Sequence, residues 1–379
     1  MKELFIKNPF IVGRYVSDKY FCDRQQETAF MQKQIENGRH VALISPRRIG
    51  KSGLIRHFFH QPQITEHYYV FFIDIYATTS LSEFVYMMGK EIYEQLKPQT
   101  TVWKEKFFQT IASFRIGAKI DTMSGAPSFD LGLGDIQTPQ TSLDEIFSYL
   151  EQADKPCIVA IDEFQQIAEY AEKNVEALLR TKIQQCSKVQ FIFAGSKRHV
   201  MTLMFNSPAK PFYQSAISMG LDVIPMDTYT DFAAKLFQEN GRQIDREVIA
   251  TVWRQFDGYT WFVQMMMNEL FAITPAGSTC HIEQIPVARH NVIMAQEDSY
   301  KELLANIPPK QKQVLQAIAK EGIATNVTSA RFINKYSLSS ASSVQSALKY
   351  LIKSDLVTQS DNQFRIYDFF LSEWLASVY

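Results

Sequence analysis

The chain predicts an α/β architecture: a parallel sheet with helical crossovers, then an all-helical segment, then a small module of three helices and a hairpin. Three observations carry this. Continuous apolar runs recur at Val41-Ala42-Leu43-Ile44, Tyr68 to Ile75, Cys157 to Ile161 and Val189 to Ala194. A strand buried on both faces reads as such a run, and helically spaced apolar residues between the runs imply crossovers. After Thr230 the spacing is helical through Phe271, and Pro308-Pro309 opens a new pattern of three helices and two short strands.

The first strand breaks at Ser45-Pro46 and is followed by Arg47-Arg48-Ile49-Gly50-Lys51-Ser52-Gly53, then by a helical pattern through Leu54, Ile55, Phe58 and Phe59. Strand, tight turn, Gly-Lys-Ser and helix form the context of a phosphate-binding loop. Gly50 lets the backbone approach a phosphate, and in the segment Pro46 to Gly53 the N–H groups that follow Pro46, which precede and open the helix, point at the anion. Lys51 is the group expected to reach the β- and γ-phosphates and Ser52 the hydroxyl expected on Mg²⁺. Ser45 stands where the motif G-x-x-x-x-G-K-[ST] has its first glycine.

Upstream, Phe21-Cys22-Asp23-Arg24 leads into a helical pattern, with Asp23 and Gln26 at capping-box spacing. Phe21 and Arg24 are the residues there expected to close over the nucleotide base. Ser80 with Glu83, and Ser142 with Glu145, have the same spacing ahead of two further helices. Between those helices, Phe114 to Ile120 and Ser128 to Gly134 alternate about Ser124-Gly125-Ala126-Pro127, which predicts a β-hairpin insertion over 98–140.

The run Cys157 to Ile161 ends in Asp162-Glu163. A carboxylate at the end of a buried strand beside the phosphate loop holds Mg²⁺, the role expected of Asp162. Glu163 is the expected general base for an attacking water. Ser196, just past the next strand, is the expected sensor of the γ-phosphate. Catalytic work therefore falls to Glu163, Lys51 and Ser196. An acidic pair on one strand, then a strand ending in a polar residue, predicts the P-loop NTPase class with an additional strand between the two motif strands.

Bulk properties narrow the function. The chain has 379 residues and a formal charge of −1, so there is no whole-chain argument for a nucleic-acid or membrane surface. It has no apolar run of about 18 residues, and the N-terminus is a poor signal peptide, so a cytoplasmic location without membrane contact is expected. The four cysteines form no C-x-x-C pair, which excludes a disulfide framework or a zinc site as the organising feature. The run Met265-Met266-Met267 reads as core.

The box FCDRQQE, then LISPRRIGKS, CIVAIDEFQ and FIFAGSKRHVM, resembles the archaeal-type ATPases, P-loop proteins of the broad AAA+/STAND group. The resemblance covers roughly residues 8–270 and implies ATP with Mg²⁺, a helical lid and a C-terminal winged helix. The implied division is a core over 1–225, a lid over 226–300 and a winged helix-turn-helix over 301–379. Two departures stand out: Thr260 replaces a proline usual in the lid, and Pro211-Phe212-Tyr213-Gln214-Ser215 lacks an arginine that family members often carry. The missing arginine implies slow hydrolysis or one supplied by a neighbouring subunit; Arg47, Arg48, Lys197 and Arg198 are the local candidates.

From Ile307 to Tyr379 there are eight Lys/Arg and five Asp/Glu, a net of +3. The third helix there carries serines and Lys349 but no arginine for bidentate reading of guanine. The reading is an Mg²⁺-dependent ATPase whose nucleotide state controls the lid and winged helix. The competing reading is a weakly hydrolysing, nucleotide-gated DNA-associated regulator or signalling scaffold. Expected partners are ATP and ADP, DNA through the winged helix, and a protein partner or second copy.

Overall fold

Buried, continuously apolar segments form the centre of the sheet, as their sequence demands. In the computed structural model, which describes residues 7–96, 117–120, 127–130 and 138–378, the strands are β1 (Val41–Ile44), β2 (Tyr69–Asp74), β3 (Gly117–Ile120), β4 (Pro127–Asp130), β5 (Cys157–Asp162), β6 (Val189–Gly195) and β7 (Ile217–Met219) up to residue 224. Five of them pair in parallel in the order β2-β5-β6-β1-β7. Every residue of β5 and β6 is buried. β6 lies between β1 and β5, so an additional strand separates the Lys51 loop from the Asp162 strand. β7 has only three residues, two of them exposed, and carries no apolar run from which the sequence could announce it.

β3 and β4 pair antiparallel, as expected of the hairpin strands; residues 98–116, 121–126 and 131–137 of the 98–140 insertion lie outside the described residues, and its last two residues belong to the helix Pro139–Glu151. Two helix starts differ from expectation. The helix Gln25–Glu36 has no side-chain cap, because Asp23 and Arg24 both take left-handed backbone (φ 62 and 75) and turn the chain sharply into it. The helix Pro139–Glu151 begins ahead of Ser142, with proline in its first turn, where a missing N–H is harmless. Ser142 sits inside that helix and donates to Thr138 O. At Ser80 the expected cap forms: its hydroxyl accepts from Glu83 N–H, while the Glu83 carboxylate accepts from Thr79 N–H.

The chain divides into two compact units, Gly13–Ile224, which holds the sheet, and Met1–Val12 with Pro225–Tyr379. The segment up to Val12 thus departs from the expected 1–225 core. Phe10 is buried between Phe237 and Phe271, and Asn8 and Asn268 each donate to the other's segment, at Asn268 O and Phe10 O.

In the second unit, helices Met226–Glu239, Arg246–Gln255, Thr260–Ile273, Gln284–Met294 and Glu297–Ala305 precede the helix-and-hairpin module. β8 (Gln243–Ile244) and β9 (Thr279–Cys280) pair in parallel, and the turn 274–278 is pinned: Gly277 N–H donates to Gly241 O and Arg242 Nε to Thr274 O. Met266 and Met267 are core residues, as expected. The module itself has helices Pro309–Glu321, Ala330–Lys335 and Ala341–Lys353, with β10 (Ala324–Thr325), β11 (Val357–Ser360) and β12 (Gln363–Ile366) in one sheet of order β10-β12-β11. A last helix, Phe369–Val378, packs Phe369 and Phe370 onto Phe256 and Phe262 of the preceding helices, and Arg365 pairs with Asp257 at 2.6 Å. These contacts join the helical segment and the winged module into one body. Among the described residues no helix is long and apolar enough to cross a membrane.

Candidate active site

The C-terminal ends of β1, β5 and β6 bring the expected residues together. β1 runs into the loop Ser45 to Gly50, in which Arg48 and Gly50 take left-handed backbone (φ 62 and 104). At Gly50 this conformation favours glycine, and Gly50 caps the helix Lys51–Phe59. Ser45 is not among the residues with positive φ, so this loop needs no glycine there. Its buried hydroxyl has a task instead: it donates to Leu221 O at 3.0 Å and accepts from Leu221 N–H at 2.5 Å. The serine that breaks the motif thus ties the loop to the segment after β7.

Lys51 is buried, and its ammonium donates to Ser45 O at 2.9 Å and Pro46 O at 2.8 Å, inside the curve of the loop. Burial pulls its pKa below the usual lysine range, and the Glu163 and Asp162 carboxylates oppose that pull. One residue on, the Ser52 hydroxyl donates to Asp162 Oδ2 at 2.5 Å. Burial pushes the Asp162 carboxyl up; the Ser52 hydrogen bond opposes this, while the charges of Glu163 and Asp74 add to it. A hydroxyl and a carboxylate in contact are hard oxygen donors. They fit Mg²⁺, which binds through one or two protein oxygens with phosphates and waters completing its shell.

Glu163 takes left-handed backbone (φ 56) where β5 ends, and the turn Phe164–Glu169 follows. Such backbone in a non-glycine residue costs of order 1–3 kcal/mol and concentrates at functional sites. Its Oε2 accepts from the Ser196 hydroxyl at 2.7 Å and from the Gln165 amide. Ser196 Oγ in turn accepts from Arg47 Nε at 3.2 Å. The Arg47 guanidinium lies 5.5 Å from the Tyr76 ring.

Gln165 is a site residue that the sequence reading missed. It is 2 % exposed, and its Oε1 accepts from Ser196 N–H at 3.2 Å. Its only sequence signal is its place two residues after Glu163. Asp74, the register partner of Asp162 on β2, was also missed.

Phe21 stacks on His57 of the P-loop helix (4.2 Å, 16°) and lies 3.6 Å from the position a Cβ on Gly53 would take. Arg24 is held elsewhere, by Glu27 at 2.7 Å and the Asp222 carbonyl at 2.6 Å. Ile49 is buried. Of the other basic candidates, Lys197 faces Glu169 at 3.6 Å and Arg198 is exposed. Phe212, in the segment lacking the arginine, is fully buried against Phe164, Phe193 and Phe205.

A parallel sheet with an additional strand, a Gly-Lys-Ser loop and an Asp-Glu strand end define the P-loop ATPase fold class. The chain belongs to the family described as the ATPase domain predominantly from Archaea, which matches residues 21–266. Residues 298–377 match a probable winged helix domain. No curated protein matches the chain. Among solved structures, the Walker-type ATPase PABY2304 of Pyrococcus abyssi is similar at TM-score 0.66 and 18% identity, over 97% of this chain and 99% of that one. The ORC2 protein of Aeropyrum pernix, solved in ADPNP-ADP complexes, is similar at TM-score 0.60 and 13% identity, over 98% and 96%. The ORC1 protein of the same organism, in complex with DNA, is similar at 0.54 and 10%, over 94% and 92%. At these identities the likeness is one of fold.

Proposed function

We propose that this chain hydrolyses ATP with Mg²⁺, and that the nucleotide state governs the helical segment as a lid together with the winged helix. The carrying observation is the Ser52–Asp162 contact at 2.5 Å beside a Lys51 that already points into its loop. On this reading Lys51 and the amides from Arg47 to Gly53 bind the phosphates, with Pro46 shaping the start of the loop and Arg47 and Arg48 on it. Ser52 and Asp162 hold the metal, which when bound neutralises charge on the transferring phosphoryl group. Glu163 orients the attacking water and accepts its proton, and Ser196 senses the γ-phosphate. Phe21 lies beside the P-loop helix on the base side, and Arg24 keeps that entry segment in place.

The proposed divisions are a core to residue 225, a lid over 226–300 and a winged helix over 301–379. The aromatic contact of Phe256 and Phe262 with Phe369 and Phe370 supports movement of lid and winged helix as one body. The proposed location is the cytoplasm, and a neighbouring subunit or protein partner is the proposed source of any missing arginine.

A second reading, a weakly hydrolysing DNA-associated regulator, is favoured by one observation. The helix Ala341–Lys353 exposes Ser342, Gln345, Ser346 and Lys349 along one face, a surface suited to phosphate contacts. ATP turnover and ATP binding, measured for wild type, Lys51→Ala and Glu163→Gln with and without duplex DNA, test both. Lys51→Ala is expected to lose binding, and Glu163→Gln to bind ATP without turning it over. Wild-type ATP affinity in Lys51→Ala refutes the site. Tight ATP binding without turnover in wild type, with DNA binding that weakens steeply in salt, selects the second reading.

A further inference from the structure

We infer that Gln165 is a positioning residue for the general base, locking Glu163 and Ser196 into one unit. The inference rests on the ATPase reading. Three facts of geometry carry it. First, the Gln165 amide is used at both ends: its Nε2 donates to Glu163 Oε2 and lies 3.5 Å from Ser196 Oγ, while its Oε1 accepts from Ser196 N–H at 3.2 Å. Second, Glu163 Oε2 thereby receives two donors, Gln165 and Ser196, whereas Oε1 has no hydrogen-bond partner among the described residues. Third, β6 ends in a glycine that the amide requires. A Cβ on Gly195 would lie 2.4 Å from Gln165 Oε1 and 2.5 Å from Met201 Sδ, closer than real Cβ atoms come.

The chemical consequence is a division of labour within one carboxylate. Oε2 is anchored, and Oε1 is the atom left to take a proton. In hydrolysis the water oxygen bonds to the γ-phosphorus, the bridging bond to the β-phosphate breaks, ADP leaves, and the water proton passes to Oε1. A carboxylate whose orientation is held by fixed donors loses less freedom in reaching that geometry. Because Gln165 grips the backbone of Ser196 as well, a displacement of Ser196 is passed to Glu163. Arg47 Nε, donating to Ser196 Oγ at 3.2 Å, extends the same connection to the phosphate loop.

The test is steady-state ATP turnover and ATP affinity of the full chain carrying Gln165→Ala, Gln165→Glu or Gly195→Ala, beside Glu163→Gln. Gln165→Glu keeps the volume but removes the donor, so it serves where truncation harms folding. Gly195→Ala pushes the amide aside without altering it. The expected result is a fall in kcat of at least tenfold for all three, with Kd for ATP within about twofold. Adding Gln165→Ala to Glu163→Gln is expected to slow turnover no further, since the held group is already disabled. Wild-type kcat in Gln165→Ala and Gln165→Glu, where Glu163→Gln is inactive, overturns this inference and leaves the ATPase reading standing. Losses of kcat and ATP affinity in parallel overturn it too, because they mark a structural role alone. Absence of turnover in the wild type sinks both.

Discussion

Restoring the motif glycine at Ser45 is expected to destabilise this protein. Ser45 is 1 % exposed and its hydroxyl both donates to and accepts from the backbone of Leu221, 176 positions away. Among the described residues the Leu221 amide and carbonyl have no other partner, and Leu221 itself is buried. Ser45→Gly or Ser45→Ala removes two hydrogen bonds, each contributing about 1 kcal/mol net, and leaves two buried backbone groups unsatisfied. The combined cost is about 2–4 kcal/mol, to which glycine adds roughly 0.5–1 kcal/mol through backbone freedom in the unfolded chain. For a domain the size of Gly13–Ile224 this corresponds to a melting temperature lower by roughly 5–15 °C. Thermal unfolding checks the magnitude, and native-state hydrogen exchange checks the cause, because the Leu221 amide should lose protection selectively. A melting temperature within about 1 °C of wild type, with Leu221 protection unchanged, refutes the reasoning.

The remaining predictions concern groups whose surroundings are as well defined. Burial beside Arg180 lowers the His40 pKa from 6.5 to about 4, and its Nδ1 accepts from Phe191 N–H, so the folded protein holds a neutral ring. The unfolded chain binds the proton more readily, so stability is lost as pH falls from 6.5 towards 4; His40→Asn, which keeps an acceptor, should flatten the melting temperature over that window. Gly258 has φ 68, and a Cβ there would lie 2.6 Å from the Trp253 ring, so Gly258→Ala should lower the stability of the C-terminal unit by about 1–3 kcal/mol, measured by denaturant unfolding.

Much of this protein is legible in its sequence because the relevant signals are local. Continuous apolar runs announced β1, β5 and β6, since central strands of a parallel sheet are buried on both faces, and also β2, an edge strand whose middle residues are buried. Gly-Lys-Ser after one run and Asp-Glu at the end of another singled out Lys51, Ser52, Asp162 and Glu163 as candidates, and the ends of β1 and β5 place Ser52 against Asp162. The winged module was readable from Pro308-Pro309 and the three helices and two short strands that follow; the structure adds that Ser329 and Ser340 each cap the helix after them.

What escaped reading depends on neighbours that only the tertiary structure supplies. β7 and the β8–β9 pair are too short to carry a period; β7 forms because β1 presents an edge to it, and β8 and β9 because the fold brings their two-residue segments side by side. Asp23 and Gln26 have the spacing of a cap, yet two left-handed residues override it. Ser45 read as a defect in a motif, although its partner Leu221 makes it a clamp. Gln165 carries no functional signal of its own in the sequence; only with β6 beside β5 do Gly195 and Ser196 come against it. Residue types and short spacings determine which chemistry is available and which strands can form. The order of strands in the sheet decides which polar groups meet, because a hydrogen bond acts over about 3 Å regardless of how far apart its partners lie along the chain.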